Sequence, residues 1–395
     1  MIISLIRTVC AWSVAFCLSL IVFTGSVSAQ DSTPVDLEPM MASESSEVLY
    51  QFPKDEFYTG LVVGITKEGT EDIGGYVREY QVLAVRLLDG ADKGKTVTVD
   101  QGHIQAVTTS VKVSKGERIV LTKTTLAGES SYVIIDRYRL HPLLYLTLGF
   151  VFLILLFGRK KGIMSLLGLS VSVLVIAQFM IPQILDGKNP FVITLIGLLA
   201  IAFVSLYLAH GFNKRTTLAL ISTLITLGLS TILAYVAVTA TKLTGLGTEE
   251  AFFLQLGPLG RMNLQGLLLG GILIGTLGVL DDITTAQTAS VEEIHKANPA
   301  LSIAELYKRG ISIGHEHIAS LVNTLFLAYA GSSLPLFLLF TANKDQQPLW
   351  ITLNSEQLVE EIIRTVVGSS ALILAVPIAT LLAAYVFGTK KAAEK

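Results

Sequence analysis

Residues 263–290 read NLQGLLLGGILIGTLGVLDDITTAQTAS, and the fold follows from what this stretch can be dissolved in. From Leu264 to Leu280 it carries no charge, which at about 1.5 Å of helical rise per residue covers most of a hydrocarbon core about 30 Å thick. Two adjacent carboxylates, Asp281 and Asp282, then close the apolar run. Gly271, Gly275, Gly278, Asp282, Thr285 and Ala289 recur at steps of three and four, which places them on one face of a helix. Gly271, Gly275 and Gly278 therefore form the expected helix-packing face, with Gly266 and Gly270 as a second pair slightly rotated from it. On this reading Asp282 points toward the bundle. Asp281 lies about a hundred degrees to the side, aligned with Thr284 and Thr288.

Outward from this segment, further apolar stretches fall near residues 140–157, 163–185, 190–210, 216–241, 316–341 and 364–388, making about seven transmembrane helices with 263–283. The whole chain of 395 residues is 51% hydrophobic and 15% charged, too little charge to cover a soluble surface of that size. A lipid bilayer is the expected partner. The net charge of −2, with no basic tract interleaved with aromatics, argues against nucleic acid. Cys10 and Cys17 both lie in the first apolar segment, so a processed chain would keep no cysteine for a disulfide or a metal.

Residues 1–29 read as a signal peptide or signal anchor, with Arg7, an apolar run from Val9 to Phe23, and Val27-Ser28-Ala29 at a cleavage position. Both alternatives put the next segment outside the cytoplasm. Residues 30–55 form a flexible polar leader, acidic and rich in Ser and Pro near its start. Residues 31–139 are roughly a quarter charged, about twice the density of the rest, so two media are implied.

Between 56 and 139 the pattern turns to period two, as in Gln81-Val82-Leu83-Ala84-Val85-Arg86-Leu87 and Thr96-Val97-Thr98-Val99. Asp89-Gly90, Lys93-Gly94 and Lys115-Gly116 mark turns. Five or six short strands in that length are expected to close into a small β-barrel-like domain, OB-like or SH3-like, because closure removes exposed edges. It has no histidine cluster or phosphate loop, and reads as a domain that docks on something.

Loop charges give an independent orientation for the span domain at 140–388 and the tail at 389–395. One set of loops holds Arg159-Lys160-Lys161, Lys214-Arg215, Lys296, Lys308 and Arg309, and the tail adds Lys390, Lys391 and Lys395. The other set holds Lys188, Lys242, Arg261 and Lys344, with Arg364 at the mouth of the last span. Signal and charges agree on an extracytoplasmic N-terminal domain and a cytoplasmic C-terminus.

Two adjacent carboxylates ending a span are costly unless hydrated, paired or bound to a cation, so Asp281 and Asp282 are candidates for an ion or proton pathway. The bland alternative is a hydrated helix end. His317, Ser320, Thr324, Ala328, Gly331 and Pro335 make a matching stripe on the next span, with Asn323 beside it, and with Thr285 complete the candidate pathway. A third stripe is Thr223, Thr226, Ser230, Ala234, Ala237 and Thr241. Such faces line a polar path or serve equally as packing surfaces held by hydroxyl bonds. Gly314-His315-Glu316-His317 has the composition of a metal site, yet neighbouring positions diverge on a helix and no His-Glu-x-x-His spacing is present. It reads first as a solvated helix start, and a metal is left unknown. Ser302-x-x-Glu305 is a capping box opening a short helix through Arg309, set apart from the span that follows.

Gly278-Val279-Leu280-Asp281-Asp282-Ile283-Thr284, with Gln287, Ala289, Ser290 and Asn298-Pro299, resembles the YibE/F-like membrane proteins of bacteria. So do Ile318 to Leu325, Ala328-Tyr329-Ala330-Gly331, Leu334-Pro335, Val85 to Gly90 and Asp136 to Arg139. The resemblance implies a multi-span bundle in the inner or plasma membrane behind an extracytoplasmic domain. Members are sometimes described as permeases or transporters, and no substrate comes with the family. Its compound name suggests a second family subunit as partner, a homo-oligomer being the other arrangement. The first functional reading is thus a secondary permease or ion pathway. The alternative is a non-transporting envelope assembly or regulatory factor whose β domain recruits a partner. No nucleophile elbow, zinc motif, phosphate loop or dinucleotide glycine pattern occurs, so neither an enzyme nor a cofactor is expected.

Overall fold

The computed structural model describes residues 56–73, 76–102, 112–126, 129–256, 262–342 and 348–388. The expectations for 1–29, 30–55, 389–395, Arg261 and Lys344 lie outside them. The chain divides into two compact units, one running to Leu153 and holding a β-sheet, the other starting at Ile154 and holding a helical bundle.

The sheet has five antiparallel strands, β1 Glu56–Ile73, β2 Tyr76–Leu87, β3 Thr96–Gln101, β4 Arg118–Leu126 and β5 Glu129–Arg137, in the order β3-β2-β1-β4-β5. Period two in the sequence becomes alternation of burial: Gln81, Leu83, Val85 and Leu87 are buried while Arg86 is exposed. Leu83, Val85 and Leu87 join Tyr58, Val62, Val99, Ile119 and Leu121 in one core. Register shifts between Val62 and Gly64 and between Ile65 and Lys67 bend the long β1 as it passes from β4 to β2. Gly90 and Gly94 take φ of 73° and 87° in the β2–β3 turn, a region other residues rarely adopt. The edge strands β3 and β5 come within 8 Å Cα to Cα, but no ladder joins them among the described residues, so this domain is a five-stranded sheet.

A polar cluster ties that turn to the sheet. Asp92 accepts from Lys95 at 2.6 Å, from the Tyr132 hydroxyl at 2.9 Å and from Lys123 at 3.3 Å. These donors, Lys95 foremost, hold the Asp92 carboxyl well below the usual carboxylate range. Burial and the bond to Asp92 push the Tyr132 phenol up to about 12, and the Glu56 carboxylate that Tyr58 bonds pushes that phenol up to about 12 as well.

The helices are α1 Leu140–Leu174, a π-helical stretch Val175–Met180, α2 Ile181–Leu185, α3 Pro190–His210, α4 Lys214–Ala240, α5 Glu249–Leu256, α6 Leu264–Ala297, α7 Ile303–Ser332, α8 Leu334–Ala342, α9 Leu349–Leu353 and α10 Glu356–Gly388. Side-chain caps explain several of the starts. Asn189, Asn213 and Asn263 accept from backbone N–H groups of the first turns of α3, α4 and α6, each cap stabilising by about 1 kcal/mol. Ser302 and Glu305 form the expected capping box at α7. The central element is α6, which packs against α3, α4, α7 and α10.

Five helical runs are long and apolar enough to cross a membrane, or six when the pair α7–α8, bent by 58°, is taken as one. The count falls short of the seven expected because two stretches merge and the one expected at 316–341 is bent between α7 and α8, and one helix boundary also differs. The stretches at 140–157 and 163–185 are a single apolar run, Leu140–Leu185, broken only at Arg159, whose φ of 50° and ψ of −134° are not helical. The helix expected to stop at Arg309 instead continues as α7, because Gly310 and Gly314 pack into the bundle rather than forming a loop.

Candidate functional site

The buried face of α6 is Leu273, Leu277, Leu280, Thr284, Gln287, Thr288 and Val291, not the glycine stripe. A Cβ built on Gly271 or Gly278 meets nothing within 4 Å, and only Gly275 has a neighbour, the Tyr329 hydroxyl. Of the expected packing face, only Gly275 meets a neighbouring helix among the described residues, through Tyr329 of α7, and Gly271 and Gly278 stand open. Close approach occurs at Gly270, where an added Cβ would lie 2.7 Å from Thr194 Oγ1 on α3. The small-residue rule holds, one helical position away from where the spacing put it.

The assignment of the two aspartates turns with the helix. Asp282 is exposed, whereas Asp281 is half-buried and its Oδ1 is fully enclosed with no hydrogen-bond partner among the described residues. Thr285 donates to the Asp281 carbonyl at 2.8 Å, which uses its hydroxyl on the helix's own backbone. On α7, Ser320, Asn323 and Thr324 are exposed, and none bonds either aspartate; Thr324 donates to the Ser320 carbonyl at 3.0 Å. His317 is half-buried with Nδ1 enclosed and without a partner. Asp281 and His317 are thus the expected pathway residues with orphaned buried atoms. The described residues hold no group of three His, Cys, Asp or Glu placed to bind a metal.

Thr223, Thr226 and Ser230 of the α4 hydroxyl stripe are buried, Thr241 at its end is exposed, and the buried chemistry is spent on packing. Ser222, Thr226 and Ser230 each donate to the carbonyl four residues back at 2.7 to 2.8 Å. Thr223 meets Thr284 of α6 hydroxyl to hydroxyl at 2.8 Å. These bonds satisfy the hydroxyls inside an apolar bundle, where an unpaired one costs several kcal/mol.

Sequence reasoning passed over the role of Gln287, the largest fully enclosed polar side chain of α6. Gln287 has no exposed surface, and its Nε2 donates to the Gly310 carbonyl at 2.7 Å and to the Thr380 hydroxyl at 2.7 Å. Its Oε1 is enclosed and has no partner. One side chain thereby joins α6, α7 and α10. A Cβ on Gly314 would lie 2.2 Å from Val376 Cγ1, and one on Gly310 would lie 2.8 Å from Thr380 Cγ2, so both must be glycine for the three helices to close on the amide. The signal was present as Gly310-x-x-x-Gly314 and as a glutamine three residues beyond Thr284 on its face.

Residues 146–389, more than half of the chain, match the family model described as YibE/F-like protein. No curated protein and no solved structure matches the chain.

Proposed function

This chain belongs to the YibE/F-like family and is a membrane protein, and we propose that its bundle is a secondary permease or ion pathway in which Asp281 takes up the coupling proton or cation. The observation that carries the reading is the enclosed, unpartnered Oδ1 of Asp281 on an apolar span. A carboxylate oxygen without a donor in a medium of low polarity needs a proton or a cation. With no nucleotide-binding motif in the sequence, the driving force is a gradient or an ATPase outside this chain.

The reading includes a topology of seven passes. The Leu140–Leu185 run of 46 residues is about 69 Å of helix, twice what one crossing needs, and its break at Arg159 supplies the turn between two passes. With α3, α4, α6, the bent pair α7–α8 and α10 the total is seven, which sets the two ends of the span domain on opposite sides. Loop charges support a sheet domain outside a bacterial inner or plasma membrane and a C-terminus in the cytoplasm. The approach of β3 to β5 supports a barrel-like closure of that domain. Phe57 and Ile135 are 65% and 52% exposed on the sheet, and favour the second reading, an envelope factor that recruits a partner there.

Flux in liposomes tests the choice. The protein is reconstituted with a pH indicator inside and a panel of cations and anions outside. Proton movement coupled to one of them supports the permease. Silence across the panel with correctly inserted protein overturns it in favour of the recruiting factor.

A further inference from the structure

We propose that the cleft among α1, α3, α4 and α6 is a binding site for a phosphate-bearing anion. It has a volume of about 270 Å³, and its walls include Lys161, His210, Arg215, Thr216 and Thr285. No acidic residue lines it among the described residues. The three basic residues come from three different helices, so two cations and an imidazole surround the space rather than sitting in a row on one surface.

The donors are uncommitted or only partly committed. The side chains of Lys161 and His210 have no hydrogen-bond or ion-pair partner among the described residues. Arg215 touches Glu292 with Nη1 alone at 3.5 Å, longer than a good charge-assisted bond, and so keeps the rest of its fork for a ligand. Asp282 interacts electrostatically with His210 from beside the cleft without lining it.

The protein's own backbone adds to this field. Arg215 and Thr216 belong to the first turn of α4, a helix of 27 residues whose start carries roughly half a positive charge. An ammonium, an imidazole and a guanidinium set around one volume suit a ligand with several oxygens in three dimensions. A planar carboxylate is satisfied by the guanidinium alone. The space exceeds a bare phosphate and accommodates an ester group, either a soluble phosphate ester or the headgroup of an anionic phospholipid. The assignment is independent of whether Asp281 couples transport.

The test uses the full-length protein in phosphatidylcholine nanodiscs. Inorganic phosphate is titrated calorimetrically, and phosphatidylglycerol retained through detergent is counted by native mass spectrometry. Saturable phosphate binding that Lys161→Gln and Arg215→Gln each weaken about tenfold, and Lys160→Gln does not, supports the site with a soluble ligand. No phosphate binding, but one phosphatidylglycerol retained by the wild type and lost in those variants, supports it with a lipid headgroup. Equal binding and equal retention in wild type and variants overturns the proposal. Should Arg215→Gln fail to insert, Lys161→Gln and His210→Gln are read by the same criteria.

Discussion

The side-chain amide of Gln287 on α6 donates to the Thr380 hydroxyl on α10 at 2.7 Å, and the Thr380 hydroxyl in turn donates to the Val376 carbonyl at 2.6 Å. With the second bond, to the Gly310 carbonyl, the amide holds three helices where lipid tails give hydrophobic association no advantage. Gln287→Ala removes both bonds and leaves a void between α7 and α10. The expected cost is about 2–4 kcal/mol, read as a lower midpoint of unfolding in mixed micelles. An unchanged midpoint would mean that the amide is a passenger in the core.

Glycine substitutions separate packed from open faces. Gly314→Ala places a methyl 2.2 Å from Val376 Cγ1, and overpacking of that kind costs about 1–3 kcal/mol. Gly278→Ala meets open space and gains helix propensity, so its midpoint holds or rises slightly. The opposite order would restore the glycine stripe as the packing face.

The sheet domain carries its own pH dependence. Asp92 has a folded pKa below its unfolded value, so its contribution is complete above about pH 4 and is lost as pH falls through the folded value. Tyr132, raised to about 12, contributes fully below about pH 10 and loses that contribution as pH rises through 12. Residues 56–139 produced alone are expected to give dispersed amide resonances and an acid limb that Asp92→Asn flattens. A disordered spectrum would show that the sheet needs the bundle.

Topology is read with single cysteines in a variant lacking Cys10 and Cys17. Positions 188 and 255 are expected to react with an impermeant thiol reagent added outside, and 160, 213 and 300 to be protected. Reaction at 160 from outside would make Leu140–Leu185 something other than two passes.

Much of this architecture was legible in the residues, and the failures have one cause. Apolar runs, the Ser302 and Glu305 capping box, and the turn glycines Gly90 and Gly94 are local signals, and all three appear in the structure. Which side of a helix faces the bundle is a different matter, because α6 is apolar nearly all round as far as Leu280 and hydrophobicity no longer marks the inside when the solvent is lipid. The glycine stripe filled that gap with a plausible face, and it was rotated from the true one, where Leu280, Thr284 and Gln287 are buried. Charges misled in the other direction. Lys308, Arg309, His315 and Glu316 suggested a broken, solvated segment, yet a helix satisfies its own backbone and keeps these side chains exposed while Gly310 and Gly314 pack.

The rotation of α6 decides which aspartate matters. Spacing favoured Asp282, as the continuation of Gly271, Gly275 and Gly278, but Asp282 is exposed and Asp281 holds the enclosed oxygen without a donor. Asn matches the size of Asp and removes the titratable charge. Asp281→Asn is therefore expected to reduce any proton- or cation-coupled flux to the level of empty liposomes, while Asp282→Asn leaves most of it. Relief of an unpaired buried carboxylate also predicts that Asp281→Asn unfolds no more easily than the wild type, and resists by up to about 1–3 kcal/mol more. Loss of flux together with unchanged or greater stability distinguishes a coupling residue from a structural one. If both variants insert normally and carry wild-type flux, the pair marks a hydrated helix end and the proton or cation is bound elsewhere.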